Sequence, residues 1–134
     1  MLNSRDKRAP IALMTCESGR DFAASVAEYV GEPLVPSQET WFPCGEGKME
    51  IKANVRGHDL YVFQSPVGNQ DRRSIYDRFL MLLHAVEAAA LSDAQYITAV
   101  VPYYPGARQD KRRGRSREGI SAGLFARMLQ SAGA

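Results

Sequence analysis

The chain has 134 residues, 45% of them hydrophobic, and a net charge of only +2 at neutral pH. A domain of this size buries about 70% of its unfolded surface, so one packed core forms without disulfide or metal staples. Cys16 and Cys44 lie far apart without a CxxC, His58 and His84 lack zinc-ligand spacing, and no apolar run nears the roughly 20 residues that span a bilayer. These features argue against stapled secreted, zinc-finger and membrane classes and for a reduced, cytoplasmic protein. Residues 1–9 read as a polar tail with no signal-peptide core behind it.

Taken in order, Pro10 to Thr15 is an apolar run of strand length. Ser18 then stands as an N-cap for a helix to Val30, with Phe22, Val26, Tyr29 and Val30 on one face and Gly31 as the stop. Met49, Ile51 and Ala53 alternate with Lys48, Glu50 and Lys52, the pattern of a half-buried strand. Asp59 to Gln64 is a second strand, with a turn over Val55 to His58 between the two.

Ser65 to Arg73 reads as a polar loop. The helix from Ser74 to Leu91 places Ile75, Phe79, Leu82, Leu83, Val86 and Ala90 on an apolar face, with His84 beside it as a structural residue. Tyr96 to Val101 is a β-branched, buried strand, and a last helix from near Gly119 turns Ile120, Leu124, Met128 and Leu129 inward. Strands separated by helices imply parallel βαβ units. The expected fold is a three-layer α/β domain over residues 10–134, with a mostly parallel sheet, flanking helices and one β-hairpin.

Charge is concentrated in one place. Between residues 108 and 118 stand Arg108, Lys111, Arg112, Arg113, Arg115 and Arg117 against Asp110 and Glu118, so the rest of the chain is slightly acidic. The segment joins a strand end to a helix start, where backbone amides and guanidinium groups attract polyphosphate anions. Charge alone leaves three readings open: a solvated surface loop, an anion site, or a single-strand nucleic-acid platform with Tyr103 and Tyr104. Thr40 to Glu46, TWFPCGE, reads as a turn with Trp41 or Phe42 plugging the core. No base is placed by the sequence to activate Cys44 as a nucleophile.

The strings FPCGE, VRGHDLYVFQS, ITAVVPYYPGARQDKRRGRSREGISAGL and LQSAGA, in this order along nearly the whole chain, resemble the amino-terminal domain of ribose-phosphate pyrophosphokinase. That resemblance implies a type I phosphoribosyltransferase-like fold and transfer of the pyrophosphoryl group of ATP to ribose 5-phosphate with magnesium. It implies that Arg108, Gln109, Asp110 and Lys111 form the ATP-binding segment. Phe42, Cys44 and Glu46 match a loop that a neighbouring subunit lends to the adenine pocket. Arg56 resembles a position near a regulatory phosphate site between subunits.

The resemblance also implies a homo-oligomer, from dimer to hexamer, with neither membrane nor nucleic acid as partner. Magnesium ligands, a catalytic basic loop and the ribose 5-phosphate loop are expected beyond Ala134, in a second domain absent from this chain. No catalytic or metal-binding residue is therefore expected here, and the 134 residues alone are expected to bind ATP weakly or not at all and to be inactive. An alternative is a non-catalytic, synthetase-like regulatory subunit. The chain departs from the family at Cys44, where Asp or Asn is usual, at Gly119, where Pro is usual, near Gly114, where the loop is longer, and between Gln64 and Leu82.

Overall fold

A computed structural model describes residues 9–67 and 72–134; most of the polar tail and residues 68–71 of the Ser65 to Arg73 loop lie outside the described residues. Its elements are β1 (Ile11–Thr15), a 3-10 turn (Glu17–Gly19), α1 (Arg20–Val30), β2 (Ser37–Trp41), β3 (Gly47–Ile51), β4 (Asp59–Phe63), α2 (Ile75–Leu91), β5 (Tyr96–Val100) and α3 (Ser121–Ala132).

The main sheet is parallel, in the order β1-β4-β5, with Leu13 opposite Tyr61 and Tyr61 opposite Thr98. Its side chains alternate between two cores, as the period of two requires. Ala12, Met14, Leu60 and Val62, with Ile97 and Ala99, pack with Phe79, Met81, Leu82, Ala85, Val86 and Ala89 of α2 and Phe125 and Leu129 of α3. Leu13 and Phe63, with Tyr61 and Val100, pack with Ala23, Val26 and Ala27 of α1. The three-layer expectation holds.

The hairpin is built differently from the sequence expectation. Its strands are β2 and β3, antiparallel with Glu39 opposite Met49, whereas β4 joins the parallel sheet. Thr40 and Trp41 fall in the segment read as a turn, yet Ser37–Trp41 forms a strand, because Trp41, Met49 and Ile51 share a face that packs on the α2 side of the core. Ala53 is exposed beyond the end of β3.

Local capping also corrects the reading of α1. Ser18 lies in the 3-10 turn, and the N-cap position falls to Gly19 without a side-chain hydrogen bond. The buried face is Ala23 with Val26 and Ala27, while Tyr29 is 94% exposed. Ala23 and Ala27 are small and let α1 pack closely on Leu13 and Phe63, while Phe22 meets Phe63 edge-on from beside that face. Gly31 ends α1 in the left-handed region at φ +78°, as expected.

α2 starts with a capping box: Asp77 N donates to Ser74 Oγ at 3.0 Å and Ser74 N donates to Asp77 Oδ2 at 2.8 Å. Phe79, fully inside, contributes about 1.5–3 kcal/mol by burial. Ile75, expected inward, is exposed, because the first turn of α2 stands at the carboxyl edge of the sheet. β5 is an edge strand with Tyr96 exposed, so it is less buried than its β-branched content predicts. In α3, Phe125 replaces Leu124 as the inward anchor; its ring stacks on Phe79 with centroids 4.4 Å apart, while Leu124 and Ile120 are exposed.

Candidate functional site

The three parallel strands end together, and their following loops meet at one edge. Cys16 N donates to Phe63 O at 3.0 Å and Gln64 N donates to Val100 O at 3.1 Å, joining the strand ends laterally. Beyond them a side-chain network links the turn after β1, the segment after β4 and the first turn of α2: Ser18 Oγ donates to Gln64 Oε1 at 2.6 Å, Gln64 Nε2 donates to Arg78 O at 3.0 Å, and Arg78 Nη1 donates to Pro66 O at 3.1 Å. Gln64 and Arg78 are buried, and this network anchors the first turn of α2.

After β5 the chain makes the basic loop. Gly106 is at φ +76°, and a Cβ there would stand 2.8 Å from Ser121 Cβ and 3.0 Å from the Phe125 ring, so the loop lies directly on α3. Tyr104 OH donates to Ala122 O at 3.0 Å, and burial pushes its pKa up. Ser121 Oγ donates to Gln109 Oε1 at 2.6 Å, and Ala122 N donates to Gln109 O at 3.3 Å. A first-turn amide of α3 is thus used inside the chain rather than offered to an anion.

Arg108 and Gln109 line a cleft of about 380 Å³ with Ile75, Tyr76, Tyr103, Gly106 and Ala107. Asp110 and Lys111 are exposed on the following turn and do not line it. Arg112, Arg113, Arg115 and Arg117 are exposed as well, and Glu118 Oε1 accepts from the backbone N of Arg113 at 2.9 Å. Among the described residues the ion pairs are Arg20 with Glu17, Lys52 with Glu50 and Arg56 with Asp93, so no cation of the loop is neutralised by one.

Phe42, Cys44 and Glu46 fall in the turn between β2 and β3. Phe42 and Cys44 are exposed. Glu46 lines a second cleft, of about 370 Å³, with Trp41, Asp77, Leu80, Met81 and His84. The Arg73 guanidinium lies 4.1 Å from the centroid of the Trp41 ring. Arg108 and Gln109 therefore line one cleft of the chain and Glu46 another, while Asp110, Lys111, Phe42 and Cys44 line neither.

Arg56 Nε is 3.7 Å from Asp93 Oδ2, an exposed pair, and the Arg56 backbone N donates to Asn54 Oδ1 at 3.0 Å. Among the described residues no group of three or more His, Cys, Asp or Glu side chains could hold a metal ion, and no helix is long and apolar enough to cross a membrane.

Sequence reasoning missed Tyr76 and Gly106 as parts of the cleft and Ser121 as the side chain that holds Gln109. Ser121 stands twelve residues after Gln109, and only the fold of the loop onto α3 brings them together. A tyrosine between Ile75 and Asp77, at the start of a helix otherwise read as core, was the available signal.

The family model described as the N-terminal domain of ribose phosphate pyrophosphokinase matches residues 11–133. Ribose-phosphate pyrophosphokinases of Maricaulis maris and Bacillus subtilis are 38% and 36% identical to the chain, over 91% and 92% of it. The chain spans 37% of the length of each of these curated relatives. The crystal structure of phosphoribosylpyrophosphate synthetase from Mycobacterium smegmatis superposes with a TM-score of 0.84 at 32% identity, over 93% of this chain and 40% of that one. With its parallel sheet, its separate hairpin and its cationic loop all inside the matched residues, the chain belongs to the ribose-phosphate pyrophosphokinase N-terminal domain family.

Proposed function

We propose that this chain is the nucleotide-binding part of a ribose-phosphate diphosphokinase, which transfers the pyrophosphoryl group of ATP to ribose 5-phosphate and releases AMP. The observation that carries the reading is the loop at the carboxyl edge of the sheet, whose exposed cations have no ion-pair partner among the described residues and whose Arg108 and Gln109 line a cleft. Arg108 and Lys111 bind phosphate oxygens, Gln109 hydrogen-bonds the nucleotide, and Asp110 helps to set the loop. In this reaction class catalysis is positioning and charge neutralisation, which these cations supply.

Phe42, Cys44 and Glu46 serve a second copy's cleft rather than their own, an arrangement supported by their separation from the cleft of Arg108 and Gln109 within one chain. The working unit is accordingly a homo-oligomer, between dimer and hexamer, in the cytoplasm. Arg56 is assigned, on the family resemblance, to a regulatory phosphate site between subunits.

Magnesium, which accompanies ATP in this chemistry, finds no ligand set among the described residues, and the chain's own contribution is that of its cations. Ribose 5-phosphate binding is assigned to sequence outside these 134 residues, and the chain alone is inactive.

The test is formation of phosphoribosyl pyrophosphate from ATP and ribose 5-phosphate. The 134-residue chain is expected to give none, and a longer form carrying a second domain is expected to turn over, with Arg108→Ala abolishing most of it. Turnover by the short form would refute its inactivity. A folded long form that stays inactive, yet co-purifies with an active synthetase, would favour the regulatory-subunit reading, to which Cys44 lends some support.

A further inference from the structure

We propose that Glu39 is a positioning residue: its carboxylate ties the Trp41 indole to the turn after β1 and so aims the turn between β2 and β3, with Phe42 and Glu46, at a second copy's cleft. The inference rests on the reading given above, in which that turn serves a neighbour.

Residues opposite each other in an antiparallel ladder share a face, so Ser37, Glu39 and Trp41 face the same way as Ile51, Met49 and Gly47. This is the face that packs on the domain, and Glu39 is the one acid among the six. A half-buried carboxylate there requires partners for its oxygens, and it has one for each. Glu17 N, in the 3-10 turn after β1, donates to Glu39 Oε2 at 2.8 Å, and Trp41 Nε1 donates to Glu39 Oε1 at 2.7 Å. One side chain thus joins the hairpin to the carboxyl edge of the parallel sheet.

The indole is held on its faces too. The Arg73 guanidinium lies 4.1 Å from its centroid, and a Cβ on Gly47 would stand 3.0 Å from its ring and 2.6 Å from Met81 Cε. Beyond Trp41 the turn closes on itself, with Phe42 N donating to Glu46 O at 2.7 Å and Gly45 N donating to Phe42 O at 2.9 Å. The turn therefore moves as a unit with Trp41, and whatever fixes the indole fixes its direction. Met49 and Ile51 already hold the hairpin to the core, so the Glu39 contacts add orientation rather than apolar burial.

The experiment compares wild type with Glu39→Leu, Glu39→Gln and, on the opposite face of the same strand, Gln38→Leu. In the 134-residue chain a fluorophore on exposed Cys44 reports the turn, buried Cys16 being spared, and Trp41, the single tryptophan, reports the tie. Glu39→Leu is expected to lower the label's anisotropy and to raise acrylamide quenching of Trp41, with little change in urea midpoint. Glu39→Gln keeps one acceptor oxygen and should fall between, deciding the matter if the leucine variant fails to fold, while Gln38→Leu should match wild type.

In the longer form, Glu39→Leu should raise KM for ATP roughly tenfold while kcat and KM for ribose 5-phosphate hold. Co-assembly with Arg108→Ala copies should restore the wild-type KM at sites that pair an intact Arg108 with an intact neighbouring turn. Unchanged anisotropy and quenching, unchanged KM for ATP, or equal shifts in both KM values with a lower urea midpoint overturn the inference and leave the nucleotide reading standing. A raised KM that co-assembly does not relieve overturns the lending of the turn between copies, and no turnover by the wild-type longer form overturns the enzyme reading; this inference falls with either.

Discussion

Ser121 Oγ donates to Gln109 Oε1 at 2.6 Å, tying the first turn of α3 to the cationic loop twelve residues earlier. The contact is exposed, so its worth to stability is small, yet it decides which atoms of the amide remain for a ligand. Ser121→Ala is expected to change the urea midpoint by less than about 1 kcal/mol equivalent and to weaken ATP binding several-fold. Gln109→Ala should do the same, and the double variant should be no worse than Gln109→Ala alone. Additive losses in titration would show that the two side chains act separately.

Gly106 carries two constraints at once, a φ of +76° and a backbone lying against Ser121 and Phe125. Gly106→Ala combines left-handed strain with overpacking and should cost about 2–4 kcal/mol, read from chemical denaturation. Gly114 is also at positive φ, but a Cβ there would meet nothing within 4 Å. It should lose less on the same change, since only the backbone strain applies.

Arg78 is 4% exposed and its guanidinium donates to the carbonyl of Pro66. Arg78→Ala leaves that buried carbonyl without its donor and should destabilise by about 2–4 kcal/mol. Ser18→Ala, at the half-buried end of the same network, should cost only about 1 kcal/mol. Thermal melts of the two variants, run side by side, test the order.

The cysteines differ in the same way. Cys44 is exposed, whereas Cys16 is fully buried and its thiol pKa is pushed well above the ordinary 9.0, first by burial and then by Glu39 and Glu17. One thiol should react with a chromogenic reagent in the native protein and two after denaturation. Since the folded state holds the Cys16 proton more tightly, stability is undiminished below pH 9.0 and falls above it, where the unfolded chain ionises first. The drop in urea midpoint on raising the pH from below 9.0 to above it should shrink in Cys16→Ala.

Much of this architecture was legible in the chain. Strands β1, β4 and β5 stand out as apolar runs, α2 begins at its Ser74 signal, and the mostly parallel α/β class follows from their alternation. What misled was local: Ser37–Trp41 has too few apolar residues to announce a strand, and its pairing depends on β3 and on the core beneath Trp41. The faces of α1 and α3 shifted for a related reason. Close packing on Leu13 and Phe63 selects Ala23 and Ala27 in one, and a ring stack on Phe79 selects Phe125 over Leu124 in the other.

The sequence by itself determined the class of fold, the family and the position of the cationic loop at the end of β5, because hydrophobic periodicity and motif order are properties of neighbours along the chain. Only the tertiary structure decided that Tyr76 joins Arg108 and Gln109 in one cleft while Glu46 lines another. Those groupings depend on how the loops after β4 and β5 pack against α2 and α3, and such contacts join residues far apart along the chain. No local pattern encodes them.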